Sequence, residues 1–190
     1  MWFLALFSFV LSVVLLGLSI FPGVIEQVPA NVTLFAGGAA GLFASGAASW
    51  HLVGPARPGR PRQRRSAVVA LLCLAVTPLL LLTNTPRAVV FRTHRGEFEA
   101  LLAQAPPAGD RAVVPLNADL SIYWIDHWGT DARGGTYFRT LSGRDNGRAD
   151  RRSFGFAYRP NPAGSPFGNE RYELHHLTGD WYSFAATDER

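Results

Sequence analysis

Gly54-Pro55-Ala56-Arg57-Pro58-Gly59-Arg60-Pro61-Arg62-Gln63-Arg64-Arg65 separates two long apolar runs, and its arginines decide how the first half of the chain is read. Outward from it, three stretches are apolar enough to suggest bilayer crossing, at about residues 2–21, 32–53 and 67–83. A crossing helix needs roughly 20 apolar residues. Apart from the arginine stretch, the first 86 residues carry a single charged side chain, Glu26. Basic residues in short loops stay on the cytoplasmic side. Arg57, Arg60, Arg62, Arg64 and Arg65 therefore predict a topology: N-terminus inside, first loop outside, arginine loop inside, and all residues after Thr83 outside. The expectation is a three-helix transmembrane anchor over residues 1–86, set in a bacterial inner membrane with the bilayer as its first partner. Residues 87–190 then form an exoplasmic domain.

Residues 87–190 are neutral in formal charge, so the net +4 is the arginine stretch less Glu26. Despite a pI of about 9.8, the excess charge reads as a topology signal and not as a nucleic-acid footprint. The chain has no lysine and is rich in Ala, Gly, Pro and Arg, the mark of a GC-rich bacterial genome. Its one cysteine, Cys73, falls within the third apolar run, so no disulfide framework supports the C-terminal part. Cleavage after Val28-Pro29-Ala30 is the alternative fate of the first run. The uncharged N-terminus and the length of that run speak against a leader peptide.

In the second run Gly37, Gly41, Ser45 and Ser49 recur every four residues. That spacing lines small residues along one helix face, where a second backbone can approach closely. They are candidate partner-binding positions, for another helix of this chain or for a second copy. No Asp, Glu, Lys or Arg lies inside any of the three runs, and the one histidine, His51, sits at the end of the second, which argues against a transport pathway.

After Pro86, residues 88–92 read as a short strand or an extended exit from the membrane. Phe98, Leu101, Leu102 and Ala105 then follow helical spacing, with Thr93 as N-cap and Pro106-Pro107 as the stop. Strands are expected at 112–116, 120–128, 136–141, 153–159, 171–177 and 181–186, with a hairpin through Thr178-Gly179-Asp180. The fold class is α+β: three transmembrane helices, then one helix on a mainly antiparallel sheet.

Two constellations invite chemistry. Asp126 and His127 are adjacent, but in a regular strand neighbours point to opposite faces and cannot pair. Glu173 and His175 share a face, as two metal ligands would, yet zinc needs three or four protein ligands and no spacing supplies the rest. No Gly-x-Ser-x-Gly elbow occurs and no phosphate-binding loop is formed. Catalytic candidates are thus weak: His127, His175, Asp126 and Glu173. Neither a metal nor a cofactor is implied. The proline-rich stretch 158–169 is stiff enough to present Phe167 for recognition at low entropic cost. The alternative is that Phe167 folds back over the sheet. The expected function is a non-catalytic scaffold or accessory subunit that binds a protein partner or another copy of itself. A tethered hydrolase or metal-dependent enzyme is the first alternative, and a small-ligand sensor the second.

Overall fold

The computed structural model describes residues 2–24, 61–108, 112–144 and 151–188. Three helices, α1 (Trp2–Ser19), α2 (Pro61–Leu82) and α3 (Thr85–Leu102), precede six strands. The strands are β1 (Ala112–Leu120), β2 (Tyr123–Thr130), β3 (Thr136–Arg144), β4 (Arg151–Tyr158), β5 (Glu170–Thr178) and β6 (Trp181–Asp188). The chain divides into two compact units, one of residues 1–18 and 28–85, the other of residues 19–27 and 86–190.

Among the described residues no helix is long and apolar enough to cross a membrane. This overturns the three-span anchor, the inner-membrane location and the exoplasmic placement that followed from them. The physical reasons lie at the helix ends. α1 has 18 residues, a rise of about 27 Å against a hydrocarbon core of about 30 Å. It stops at Ser19 because the rest of the apolar run has another use: Phe21 packs edge-on against Tyr123, and Pro22 is fully buried. α2 has 22 residues, but Arg62, Arg64 and Arg65 lie in its first two turns and not in a loop. The uncharged remainder rises only about 25 Å and contains Pro78. The middle run 32–53, with Gly37, Gly41, Ser45 and Ser49, lies outside the described residues, as do Arg57 and Arg60. Among the described residues the fold is three helices and a six-stranded antiparallel sheet.

In the sheet unit α3 is one continuous helix, not a strand followed by a helix. Pro86 falls in its first turn, where a missing N–H costs nothing. Thr93 is no cap, since its hydroxyl donates to Val90 O at 2.7 Å from mid-helix. The run Ala88-Val89-Val90-Phe91 looks strand-like residue by residue. Phe91 and Phe98, however, lie two turns apart on one face, and both are completely buried. Each contributes about 1.5–3 kcal/mol of apolar burial, more than the small strand preference of the β-branched residues between them.

The sheet order is β1-β2-β3-β4-β6-β5, antiparallel throughout. Gly179, at φ 53°, makes the tight β5–β6 turn. Because β6 lies between β4 and β5, the connection 159–169 must cross the end of β6. The face toward α3 is an aromatic layer in which Phe98 meets Tyr123, Phe138, Phe156 and Trp181 at centroid distances of 5.4–6.1 Å. The other face buries Tyr137, Ala157, Phe167, Phe184 and Ala186. At Gly155 a Cβ would collide with Phe138 O, so only glycine permits β3 to shift register beside it. β2 pairs with β3 only through His127–Thr130. Beyond that point residues 19–24 supply packing, with Phe21 on Tyr123 and Gly23 close to Leu141 and Phe154. Buried Arg87 of α3 ties this segment down, donating to Ser19 O at 3.2 Å and Ser183 Oγ at 3.5 Å.

Candidate functional site

Strand alternation fails in β2, and the failure makes the site. Tyr123 and Ile125 face α3, but the next buried residue on that face is Trp128, three positions on. Opposite this phase change β1 carries a bulge between Pro115 and Ala118, with Asn117 at φ 49°. An extra residue on one strand bends the pair and re-aims side chains. Asp126 and His127 consequently do not point apart: Asp126 Oδ2 lies 3.3 Å from His127 Nδ1. The expectation that these neighbours cannot meet is corrected.

Arg139 of β3 joins them. Its register partner is His127. Its Nε donates to Asp126 Oδ1 at 2.9 Å and Oδ2 at 3.2 Å, and its Nη2 donates to Oδ2 at 2.8 Å. Nη2 also lies 2.8 Å from His127 Nδ1. A guanidinium has no acceptor, so Nδ1 must be bare and the imidazole proton must sit on Nε2. Burial alone would raise the Asp126 carboxyl, but the bonds and charge of Arg139, joined by those of His127 only when Nδ1 carries a proton, more than offset it and hold it below its ordinary range. The cluster is partly open to solvent, with side-chain exposures of 17% for Arg139, 28% for Asp126 and 34% for His127. Two residues before Asp126, Trp124 is 50% exposed.

A second network fastens the 159–169 connection. Asp131 accepts from Arg133 N (2.7 Å) and Gly135 N (3.0 Å) through Oδ1, which closes the β2–β3 turn. Through Oδ2 it accepts from Tyr137 Oη (3.0 Å) and Asn161 N (3.0 Å). Tyr137 Oη is also within bonding distance of Gly164 O, Tyr172 Oη and Asn161 N. Burial drives the Tyr137 hydroxyl far above its usual range, and burial raises Tyr172 to about 12. Both are neutral hydrogen-bonding groups at ordinary pH. These bonds hold residues 161–164; beyond them Phe167 stacks on Phe184 at 5.7 Å and lies 5.2 Å from the Arg139 guanidinium. Phe167 is 6% exposed, so the loop does not present it to solvent.

The other candidates are apart. Glu173 lies 3.3 Å from Arg152 Nη2 across the sheet. His175 is exposed, and His176 Nε2 lies 2.9 Å from Gly179 O in the hairpin turn. Among the described residues, no group of three or more His, Cys, Asp or Glu side chains gathers as metal ligands would. No family model matches this sequence, and no curated protein or solved structure matches it either. The geometry of the sheet unit therefore carries the functional reading.

Sequence reasoning passed over Arg139, Trp124, Tyr137 and Tyr172. One signal for Arg139 was present. Once the turn at Asp131–Gly135 closes the pair Thr130–Thr136, antiparallel counting sets Arg139 opposite His127.

Proposed function

We propose that the sheet unit is a non-catalytic binding domain, a scaffold or accessory subunit that holds a protein partner against the β2 face carrying Trp124. The observation that supports this reading is a half-exposed indole beside a prearranged polar cluster, Asp126–Arg139–His127. Tryptophan and arginine dominate the energetics of protein interfaces, and rigid polar neighbours limit the entropy lost on docking. In this arrangement three bonds to one carboxylate and a fourth to His127 Nδ1 together fix the plane of Arg139.

The hydrolase alternative draws on the 3.3 Å approach of Asp126 to His127. The chemistry of the cluster weakens it. Arg139 occupies both carboxylate oxygens and the Nδ1 lone pair, whereas an acid–base dyad needs the carboxylate to orient a protonated Nδ1 and leave Nε2 bare. The test is affinity capture with the full chain as bait, comparing wild type with Trp124→Ala. Loss of a captured protein on Trp124→Ala, with the unfolding midpoint unchanged, supports the reading. Equal capture by both baits refutes it. Light scattering on the same samples identifies self-association, if the occupant is a second copy.

A further inference from the structure

His127 Nδ1 stands between two groups that want opposite things from it. Arg139 Nη2, at 2.8 Å, needs it bare; Asp126 Oδ2, at 3.3 Å, accepts a bond only if it is protonated. Histidine is the side chain that changes charge between about pH 5 and 8. We propose that His127 is an acid-operated release for the 159–169 connection. Protonation of Nδ1 ends its bond with Arg139, places an imidazolium beside the guanidinium, and turns the ring's new N–H onto Asp126.

The consequence runs through Arg139. Its Nη2 loses one acceptor outright and must share Asp126 Oδ2 with the imidazolium. Repulsion between the two cations then moves the guanidinium off the Phe167 ring, which it now covers. Phe167 is the one aromatic that the connection packs onto the sheet, and its seat is maintained by a short turn. Ser165 N donates to Gly168 O, Gly168 N to Ser165 O, and Phe167 N to Ser165 Oγ. The Asp131–Tyr137 network holds the connection from Asn161 to Gly164 by separate bonds. Acid therefore loosens the 165–168 turn and leaves the 161–164 anchor in place.

The other groups facing His127 do not compensate. On β1 its register partner is Pro115, which cannot titrate, and the nearest acid along that strand, Asp119, is paired opposite Trp124. On β3 the facing charge is Arg139, and on its own strand Asp126. Phe167 is apolar. The release is independent of whether a partner binds at Trp124.

The experiment is hydrogen exchange on the full chain at about pH 7.5 and pH 5, expressed as protection relative to an unstructured peptide at the same pH. The amides of Ser165, Phe167 and Gly168 are expected to lose protection by about threefold to tenfold at the lower pH, while Asn161 changes less than twofold. His127→Asn offers a side-chain oxygen in place of Nδ1 and cannot take a proton, so its protection should be the same at both pH values. Nitrogen NMR of wild-type His127 should show the Nε2–H tautomer at pH 7.5 and a titration midpoint that coincides with the loss of protection. If His127→Asn does not fold, that coincidence in wild type is the deciding measurement. A proton on Nδ1 at pH 7.5, separate midpoints, or equal acid loosening in a folded His127→Asn would overturn the proposal.

Discussion

Replacing Asp131 by alanine tests how the sheet holds its long connection. The carboxylate accepts four hydrogen bonds, but the four donors do not suffer equally when it is removed. Arg133 N lies at an exposed turn, where water can replace the acceptor. Tyr137 Oη retains Gly164 O, and Asn161 N retains Tyr137 Oη. Gly135 N is buried and is left with no acceptor from this group. An unsatisfied buried donor costs about 1–3 kcal/mol, and losing bonds to a charged acceptor adds about 1–2 more. Relief of carboxylate desolvation returns part of that, so the expected loss is about 3 kcal/mol. Asp131→Asn keeps an oxygen for Arg133 N and Gly135 N and loses only the charge and the bonds at Oδ2, so about half of that loss is expected. The assay is urea unfolding of the full chain by near-ultraviolet circular dichroism, to which Trp124, Trp128 and Trp181 of the sheet contribute. With a slope of about 1.5 kcal/mol per molar urea, the alanine midpoint falls by about 2 M. A shift below about 0.5 M, or an asparagine variant as damaged as alanine, would refute the idea that Asp131 anchors the connection.

Three further outcomes are expected. Phe21→Ala should destabilise the sheet unit by about 1–2 kcal/mol, because Phe21 is 37% exposed and gives up its edge-on contact with Tyr123, and no measurable change in the same urea assay would show that this contact contributes nothing. In alkali, burial raises Tyr123 and Tyr172 to about 12 and Tyr137 further; the stability tied to their neutral forms is full below about pH 10 and lost as pH rises through the raised values. Tyrosinate absorbance at 295 nm should therefore leave Tyr123, Tyr137 and Tyr172 neutral in the folded chain at about pH 11, and ionisation of all three near pH 10 would contradict the burial. In acid the sign reverses for Asp126, whose folded value is depressed; its contribution is present above about pH 4 and lost as pH falls below that. Asp126→Asn should accordingly flatten the acid limb of stability against pH, and identical limbs would show that the Arg139 pair contributes nothing.

What the sequence discloses is what local chemistry decides. Gly179 between two alternating runs announces a hairpin because few other residues tolerate its positive φ, and the aromatic runs mark strands because only a sheet buries so many of them in alternation. The helix entry was illegible for the opposite reason. Ala88 to Phe91 has strand-forming residues, and its helical state depends on Phe91 meeting Phe156 and Trp181, which lie far along the chain. The first apolar run misleads in the same way: hydropathy cannot tell lipid from protein, and here Phe21 packs on Tyr123 and Pro22 is fully buried. The candidate site was half visible. Asp126 and His127 stand out as a pair, but the rule of alternation separates them. That rule holds for a regular pleat, and the bulge that breaks it is on the neighbouring strand, at Asn117, where nothing in the Asp126–His127 dipeptide records it. Arg139 was silent because an arginine in a strand has no local signature. Its role arises only when the Asp131 turn sets the register that brings it opposite His127. The same turn, through Tyr137, holds residues 161–164 of the connection. One carboxylate at the end of β2 thus positions both the cluster and the loop that covers it, and the function of either depends on that turn staying closed.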